Sequence, residues 1–195
     1  MKIKCENKQI SNRVPPKLII GLGNPGKEYE KTFHNVGQLF VSWIMNHKTW
    51  DIKHRLFTAS KIIIQDPGFI IHAAKPQTFM NESGKAAAAA LKYFKVKPEE
   101  LLIVHDDSDI ELGKYKISFG RGSAGHKGVE SIIKNLNTKN FYRLRIGIRP
   151  LLKAKSLQPK ASEIVLKKIK SQDLKIINKV FEEVLTKLKG DIKIN

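Results

Sequence analysis

The chain reads as short apolar runs alternating with stretches of helical spacing. Lys17-Leu18-Ile19-Ile20-Gly21-Leu22-Gly23 predicts a buried strand running into glycine, and Pro25-Gly26 behind it marks a turn. Across residues 35–46, Val36, Leu39, Phe40, Trp43 and Ile44 recur at the spacing of one helix face. Ile62-Ile63-Ile64 and Phe69-Ile70-Ile71-His72-Ala73 predict two strands joined by a hairpin turn at Asp66-Pro67-Gly68. Residues 82–95 carry the run Ala86–Ala90 and predict a helix, alanine being the best helix former. Leu101–Val104 predicts a strand that ends in His105-Asp106-Asp107, and Lys114–Phe119 predicts another by its alternation. Four glycines in Gly120–Gly128 predict a loop, Val129–Leu136 the helix after it, and Tyr142–Ile148 a further strand. Ser162 to Lys189 predicts helix, with Gln172-Asp173 as a break.

Strands alternating with helices predict an α/β three-layer fold. The hairpin demands some antiparallel pairing, so the expected central sheet is mixed and flanked by helices. Neither an internal repeat nor a low-complexity linker interrupts the pattern. The expected organisation is a single domain over residues 17–190, a basic, flexible N-terminal extension over 1–16 and a short C-terminal tail over 191–195.

Composition narrows the setting. At 195 residues and 41% hydrophobic, the chain can bury a core of its own. Its one cysteine, Cys5, excludes a disulfide framework and a cysteine-rich zinc site. No apolar run approaches the roughly 18 residues of a membrane span, and the first residues lack a signal-peptide core. The expected location is the cytoplasm. The charge is the strongest compositional signal: 36 Lys+Arg against 18 Asp+Glu, a formal +18. Such an excess points to a polyanionic partner, most often nucleic acid. Only six of the 36 are arginine, so attraction to phosphates is favoured over reading of bases.

Several polar residues sit where strands end or helices begin, the usual place for a site in an open α/β sheet. Gly21-Leu22-Gly23-Asn24-Pro25-Gly26 has the glycine spacing of a dinucleotide fingerprint. Pro25 interrupts that loop, however, and no strand-borne acid follows about 20 residues on. A turn displaying Asn24 is the better reading. His34, at the start of a predicted helix, suits a general base, because a helix N-terminus favours the neutral imidazole. Asp106 could hold such a histidine through its Nδ1–H and stabilise the imidazolium. Taken alone, the run from His105 to Asp109 could equally be a solvated acidic turn or, less well, a cation loop. Asn81 could cap the helix that follows or grip a substrate carbonyl. No Gly-x-Ser-x-Gly elbow is present and Cys5 lies in the leader, so water is the expected nucleophile.

Together these segments resemble the bacterial peptidyl-tRNA hydrolase family. The resemblance runs through five ordered blocks spanning residues 17–190. They are Gly21-Leu22-Gly23-Asn24-Pro25-Gly26 with Tyr29, Thr32, His34-Asn35-Val36-Gly37; Lys75-Pro76 with Thr78-Phe79-Met80-Asn81 and Ser83-Gly84; His105-Asp106-Asp107 with Asp109; Gly122-Ser123-Ala124-Gly125-His126 with Gly128; and Arg143–Ile148. The resemblance implies a monomeric enzyme that cleaves the ester between a peptide and the 3′ ribose of tRNA, with no metal or organic cofactor. In it His34 would activate water and Asp106 would orient His34. Asn24 and Asn81 would hold the peptide and the attacking water. Tyr29 and Phe79 would line the entry of the tRNA end, and Asn35, Met80, His126 and Lys127 would meet substrate. A noncatalytic RNA-binding relative of the same fold is the alternative.

Two positions depart from the family's usual pattern. Lys127 follows His126 where asparagine is usual, and Phe33 precedes His34 where arginine is common. Lys127 predicts a changed contact with activity retained, since an ammonium donates but cannot accept. Phe33 predicts altered packing or altered tRNA contact. Lys114, Lys116, Arg121, Lys127, Arg143 and Arg145 flank the expected site, and Lys153, Lys155 and Lys160 form a late basic loop.

Overall fold

The protein is described from a computed structural model that covers residues 16–46, 49–63, 70–150 and 160–191. A seven-stranded sheet has the order β2-β3-β4-β1-β5-β7-β6. Its strands are β1 (Leu18–Gly21), β2 (Ile52–Lys53), β3 (Phe57–Ile63), β4 (Ile70–Pro76), β5 (Leu101–Glu111), β6 (Tyr115–Phe119) and β7 (Tyr142–Arg149). The four central strands run parallel, β3 on one side and β6 on the other flank them antiparallel, and β2 at the edge pairs antiparallel with β3. The mixed sheet expected from the hairpin is therefore present. The Asp66-Pro67-Gly68 turn, the leader up to residue 15, the loop residues Lys153 and Lys155, and the last four residues lie outside the described residues.

Alternation along each central strand feeds two cores. One face of the sheet sends Ile19, Ile71, Leu102, Val104, Leu144 and Ile146 against helices α1 (Val36–Ile44) and α5 (Ser171–Asp191). The other sends Leu18, Ile20, Ala59, Leu101 and Ile103 against α2 (Ser83–Phe94) and α3 (Lys127–Leu136). Phe40, Phe57, Phe141 and Phe181 are all fully enclosed. Burying side chains of this size contributes about 1.5–3 kcal/mol each. The alanine run predicted a helix, and Ala86, Ala87 and Ala90 let α2 lie close on the sheet.

Four expectations change. The strand predicted over Leu101–Val104 continues to Glu111, so Asp106 lies inside a strand rather than at its end. The reason is pairing: His105, Asp106 and Asp107 stand opposite Arg145, Ile146 and Gly147 of β7, and their polar side chains find partners. Second, α3 begins at Lys127, two residues earlier than its apolar pattern, because His126 caps it. Third, the C-terminal helix breaks before Gln172-Asp173. A short α4 (Ala161–Val165) ends, and Lys167–Ile169 then pairs with Lys31–Phe33 through Phe33 N–H to Lys167 O (3.1 Å) and Ile169 N–H to Lys31 O (2.7 Å). Fourth, β3 starts at Phe57, and the two-residue β2 has too little apolar pattern to be foreseen.

One close approach fixes the site. A Cβ on Gly21 would lie 2.1 Å from the carbonyl oxygen of Gly37, and one on Gly37 would lie 2.2 Å from that of Val104. Backbone contact at these two glycines lets α1 cross β1 and β5 with nothing between them. The turn before α1, which carries His34, is thereby set over β5.

Candidate active site

His34 and Asp106, 72 positions apart in sequence, meet at 2.9 Å between Nδ1 and Oδ1. His34 sits in a short 3-10 turn, Phe33–Asn35, that leads into α1. Asp106 is 2% exposed on the α1-facing side of β5. A second imidazole reaches the same oxygen: His126 Nε2 is also 2.9 Å from Asp106 Oδ1. Burial alone would raise the Asp106 pKa. The field His126 would exert if charged and hydrogen bonds from both rings outweigh it and hold the carboxyl well below the usual carboxylate range.

The protons on these rings are set by their partners. The amides of Gly128 and Val129 point at His126 Nδ1 from 3.2 and 3.3 Å. Backbone amides only donate, so Nδ1 is the lone pair and Nε2 carries the hydrogen that Asp106 accepts. On His34 the ionised carboxylate takes the Nδ1 hydrogen, leaving Nε2 as the bare nitrogen of the neutral ring. His34, Asp106 and His126 place three potential ligand atoms within 4.8 Å of one another. A cation there would displace both shared hydrogens and take from α3 the side chain that caps it, so this donor set suits proton handling better than metal binding. The acidic run does not form a cation loop either. Asp106 and Asp107 point to opposite faces of β5, and Asp107 accepts from Arg145 Nε at 2.7 Å.

Asn24 is fixed from two directions. Asn35, 1% exposed, accepts from the Asn24 N–H at 2.9 Å and donates to the Asn24 carbonyl at 2.8 Å. The Asn24 Oδ1 accepts from the Met80 amide at 2.8 Å. Because that amide can only donate, the side-chain oxygen of Asn24 is engaged and Nδ2 is its remaining polar atom. Met80 packs against Gly128, where a Cβ would come within 2.4 Å of Met80 Sδ. The contacts close a ring: His34 to Asp106, Asp106 to His126, His126 to the α3 amides, α3 to Met80, Met80 to Asn24, and Asn24 to Asn35 beside His34.

The sequence-derived candidates divide by position. His34, Asp106, His126 and Lys127 line one cavity of about 480 Å³, together with Asp107, Ser108, Asp109, Ser123, Ala124, Gly125 and the α4 residues Ala161, Ser162 and Val165. Asn24, Tyr29, Phe79, Met80 and Asn81 do not line it. Asn24 and Met80 bond each other on the other side of the ring, with Phe79 and Asn81 flanking Met80 in the chain, and Tyr29 bonds through its backbone to Gly26 and Thr32. Phe79 is 54% exposed, and Asn81 is exposed with no hydrogen bond from its amide among the described residues. Asn35 and Met80 are buried and hold Asn24 rather than facing solvent. Lys127 is exposed and pairs with Glu130 at 3.6 Å. Phe33, where the family favours arginine, is buried in the α1–α5 core, so that departure is one of packing.

Of the basic residues flanking the site, Arg143 is 2% exposed and cannot meet a phosphate at the surface. Sequence reading missed Gln38, whose Nε2 ties the Gly23 carbonyl (3.1 Å) to that of Pro76 (3.2 Å). Gln38 lies off the apolar face of α1, so the sequence pattern carries no signal for it. The α4 wall of the cavity was also missed, since small residues such as Ala161 and Ser162 carry no chemical pattern.

Fold and site together define an α/β protein built around a His34–Asp106 pair whose carboxylate is buried. The sequence profile of the family described as Peptidyl-tRNA hydrolase matches residues 18–193. The peptidyl-tRNA hydrolase of Lactobacillus delbrueckii is 44% identical over 133 residues, covering 68% of this chain and 72% of that one. That of Neisseria meningitidis is 43% identical over 148 residues, covering 71% and 72%. The crystal structure of peptidyl-tRNA hydrolase from Acinetobacter baumannii superposes with a TM-score of 0.76 at 32% identity, covering 89% of this chain and 87% of that one. This chain belongs to the peptidyl-tRNA hydrolase family.

Proposed function

We propose that the protein hydrolyses the ester linking a peptide to the 3′ ribose of tRNA, with water activated by His34. The observation that carries this is the His34–Asp106 hydrogen bond, which leaves His34 Nε2 free to take a proton. In this reading Nε2 removes a proton from water as the water oxygen attacks the ester carbonyl. The ionised Asp106 stabilises the imidazolium so formed. On collapse of the tetrahedral intermediate the ribose 3′ oxygen leaves and takes the proton back from His34. The peptide departs as a carboxylic acid and the tRNA returns to use in translation. Asn24, through Nδ2, and the exposed Asn81 hold the peptide and the water. Tyr29 and Phe79 receive the tRNA end, and exposed basic residues such as Lys116, Arg121 and Lys160 attract its phosphates. The enzyme acts as a monomer in the cytoplasm. No described helix is long and apolar enough to cross a membrane.

The test is release of N-acetyl amino acid from N-acetyl-aminoacyl-tRNA. Wild-type protein should turn over, while His34→Ala should bind the tRNA and release nothing. Binding without turnover by the wild type would instead fit a noncatalytic RNA-binding relative.

A further inference from the structure

His105 is the buried imidazole that the reaction above does not use. It is 1% exposed and stands on β5 opposite Arg145, so its ring points to the α3 side of the sheet. Its Nδ1 lies 2.6 Å from the carbonyl oxygen of Asp106 and donates to it. Its ring meets His126 edge-to-face, with centroids 4.5 Å apart. The titratable and charged groups facing it are His126 from the cap of α3, Asp106 beside it, and Arg143 from β7. Burial first, then the fields of His126 and Arg143, push its pKa well down against the opposing pull of Asp106. Nε2 has no hydrogen-bond partner among the described residues, and neither does Nη1 of Arg143. Protonating Nε2 would enclose an unpartnered cation beside a guanidinium, so the ring stays neutral.

We propose that His105 is a positioning residue for the hydrolysis, a rigid neutral wedge that holds His126 in register with Asp106. The inference rests on the hydrolytic reading above. Two features make the wedge rigid. The Nδ1–H bond to the Asp106 carbonyl ties the ring to the backbone of the residue whose side chain His126 must reach. The edge-to-face contact then fixes the tilt of His126 between that ring and the α3 amides. His126 is thus held at three points: the α3 amides at Nδ1, Asp106 at Nε2, and His105 against its ring. Without the wedge His126 can swing from Asp106, and the carboxylate then acts on His34 alone.

Two variants separate this role from bulk packing. His105→Phe keeps a ring behind His126 and removes the Nδ1–H; His105→Asn loses the ring and restores a donor near Nδ1. With N-acetyl-aminoacyl-tRNA, His105→Phe should lower kcat by about tenfold or more with KM little changed. The acid limb of its kcat/KM profile should move to higher pH, and His105→Asn, which keeps a donor for the Asp106 carbonyl but lacks the ring contact, should recover part of both. Histidine ¹⁵N NMR gives a readout independent of turnover. The His126 Nε2–H signal should be protected from exchange in the wild type, less protected in His105→Asn, and lost in His105→Phe. Equal kcat, pH limb and His126 signal in His105→Phe and wild type would overturn the proposal. So would an unmoved limb with His126 unchanged in a variant that has merely lost stability. Failure of wild-type turnover would count against the hydrolytic reading, while the NMR comparison would still decide the placement of His126.

Discussion

His126 and His34 converge on a single oxygen of Asp106, each from 2.9 Å. Two neutral imidazoles donating to one buried carboxylate oxygen leave one negative charge to be shared. Only His34 has a nitrogen free to become charged, because the second nitrogen of His126 is occupied by the α3 amides. Asp106 therefore keeps its charge for His34 while His126 fixes where that charge sits. Sharing one acceptor between a base and a capping residue couples the proton chemistry to the fold of α3.

Replacing Asp106 with asparagine tests the charge apart from the geometry. An amide oxygen can still accept from both rings, but it cannot stabilise an imidazolium. Asp106→Asn should lower kcat by about 10³–10⁴, by analogy with the loss seen when the aspartate of a Ser-His-Asp triad is made neutral. KM should move little, because Asp106, 2% exposed, offers substrate almost no surface. Steady-state kinetics on N-acetyl-aminoacyl-tRNA reads both numbers. A rate within a few-fold of wild type would mean that hydrogen bonding alone orients His34.

At His126, stability and rate can be separated. His126→Ala removes the cap of α3 and the hydrogen bond to Asp106 together. Loss of a cap costs about 1 kcal/mol, so both Tm and kcat should fall. His126→Asn supplies a good capping oxygen to Gly128 and Val129, but its side chain is too short to donate to Asp106 as well. It should recover most of the Tm and little of the kcat. Thermal melts beside kinetics on the two variants decide this; recovery of both would show that His126 serves the helix alone.

Much of this arrangement was legible in the sequence, for identifiable reasons. The cores follow from period-two and helical patterns, and His34, Asp106, Asn24 and Asn81 stood out as polar residues at the ends of apolar segments. The extent of β5 was not legible. A run of His105, Asp106 and Asp107 looks like a solvated turn until β7 supplies Arg145 to Asp107 and α3 supplies His126 to Asp106. The part played by Asn35 was hidden for the same reason. An amide that bonds both backbone groups of Asn24 is a tertiary relationship, and residue type alone suggests an amide aimed at substrate. Arg143 was read with the surface cations because its alternation with Leu144 and Ile146 shows a strand without showing that α3 covers the other face.

Lys127 tests the family's asparagine at this position. The lysine is exposed at the rim of the cavity and, among the described residues, pairs with Glu130 on its own helix. An exposed pair of this kind contributes little to stability. Lys127→Asn should therefore leave Tm unchanged and keep kcat/KM within about tenfold, roughly 1.4 kcal/mol of transition-state stabilisation. Kinetics at two salt concentrations adds a second reading, since a lysine that meets a phosphate would steepen the salt dependence. A collapse of kcat would give Lys127 an essential part in this chain.

Buried His105 makes a signed prediction for stability. Its pKa is pushed well below the ordinary 6.5, first by desolvation and then by the neighbouring His126 and Arg143. The unfolded chain takes up a proton at His105 as pH falls through that ordinary value, and the folded chain does not. Stability is therefore complete above about pH 7 and declines as pH falls, by about 1.4 kcal/mol per pH unit once the unfolded histidine is protonated. His72 is also shifted down, by burial and by Lys61, and it adds to the decline in the same window. The contribution of His105 is isolated by comparing wild type with His105→Asn, in which that proton has no site. Denaturant melts at pH 7.5, 6.5 and 5.5 should show the variant losing less stability than wild type across the series. Parallel losses in the two proteins would mean that His105 takes up its proton in the folded state as readily as in the unfolded one.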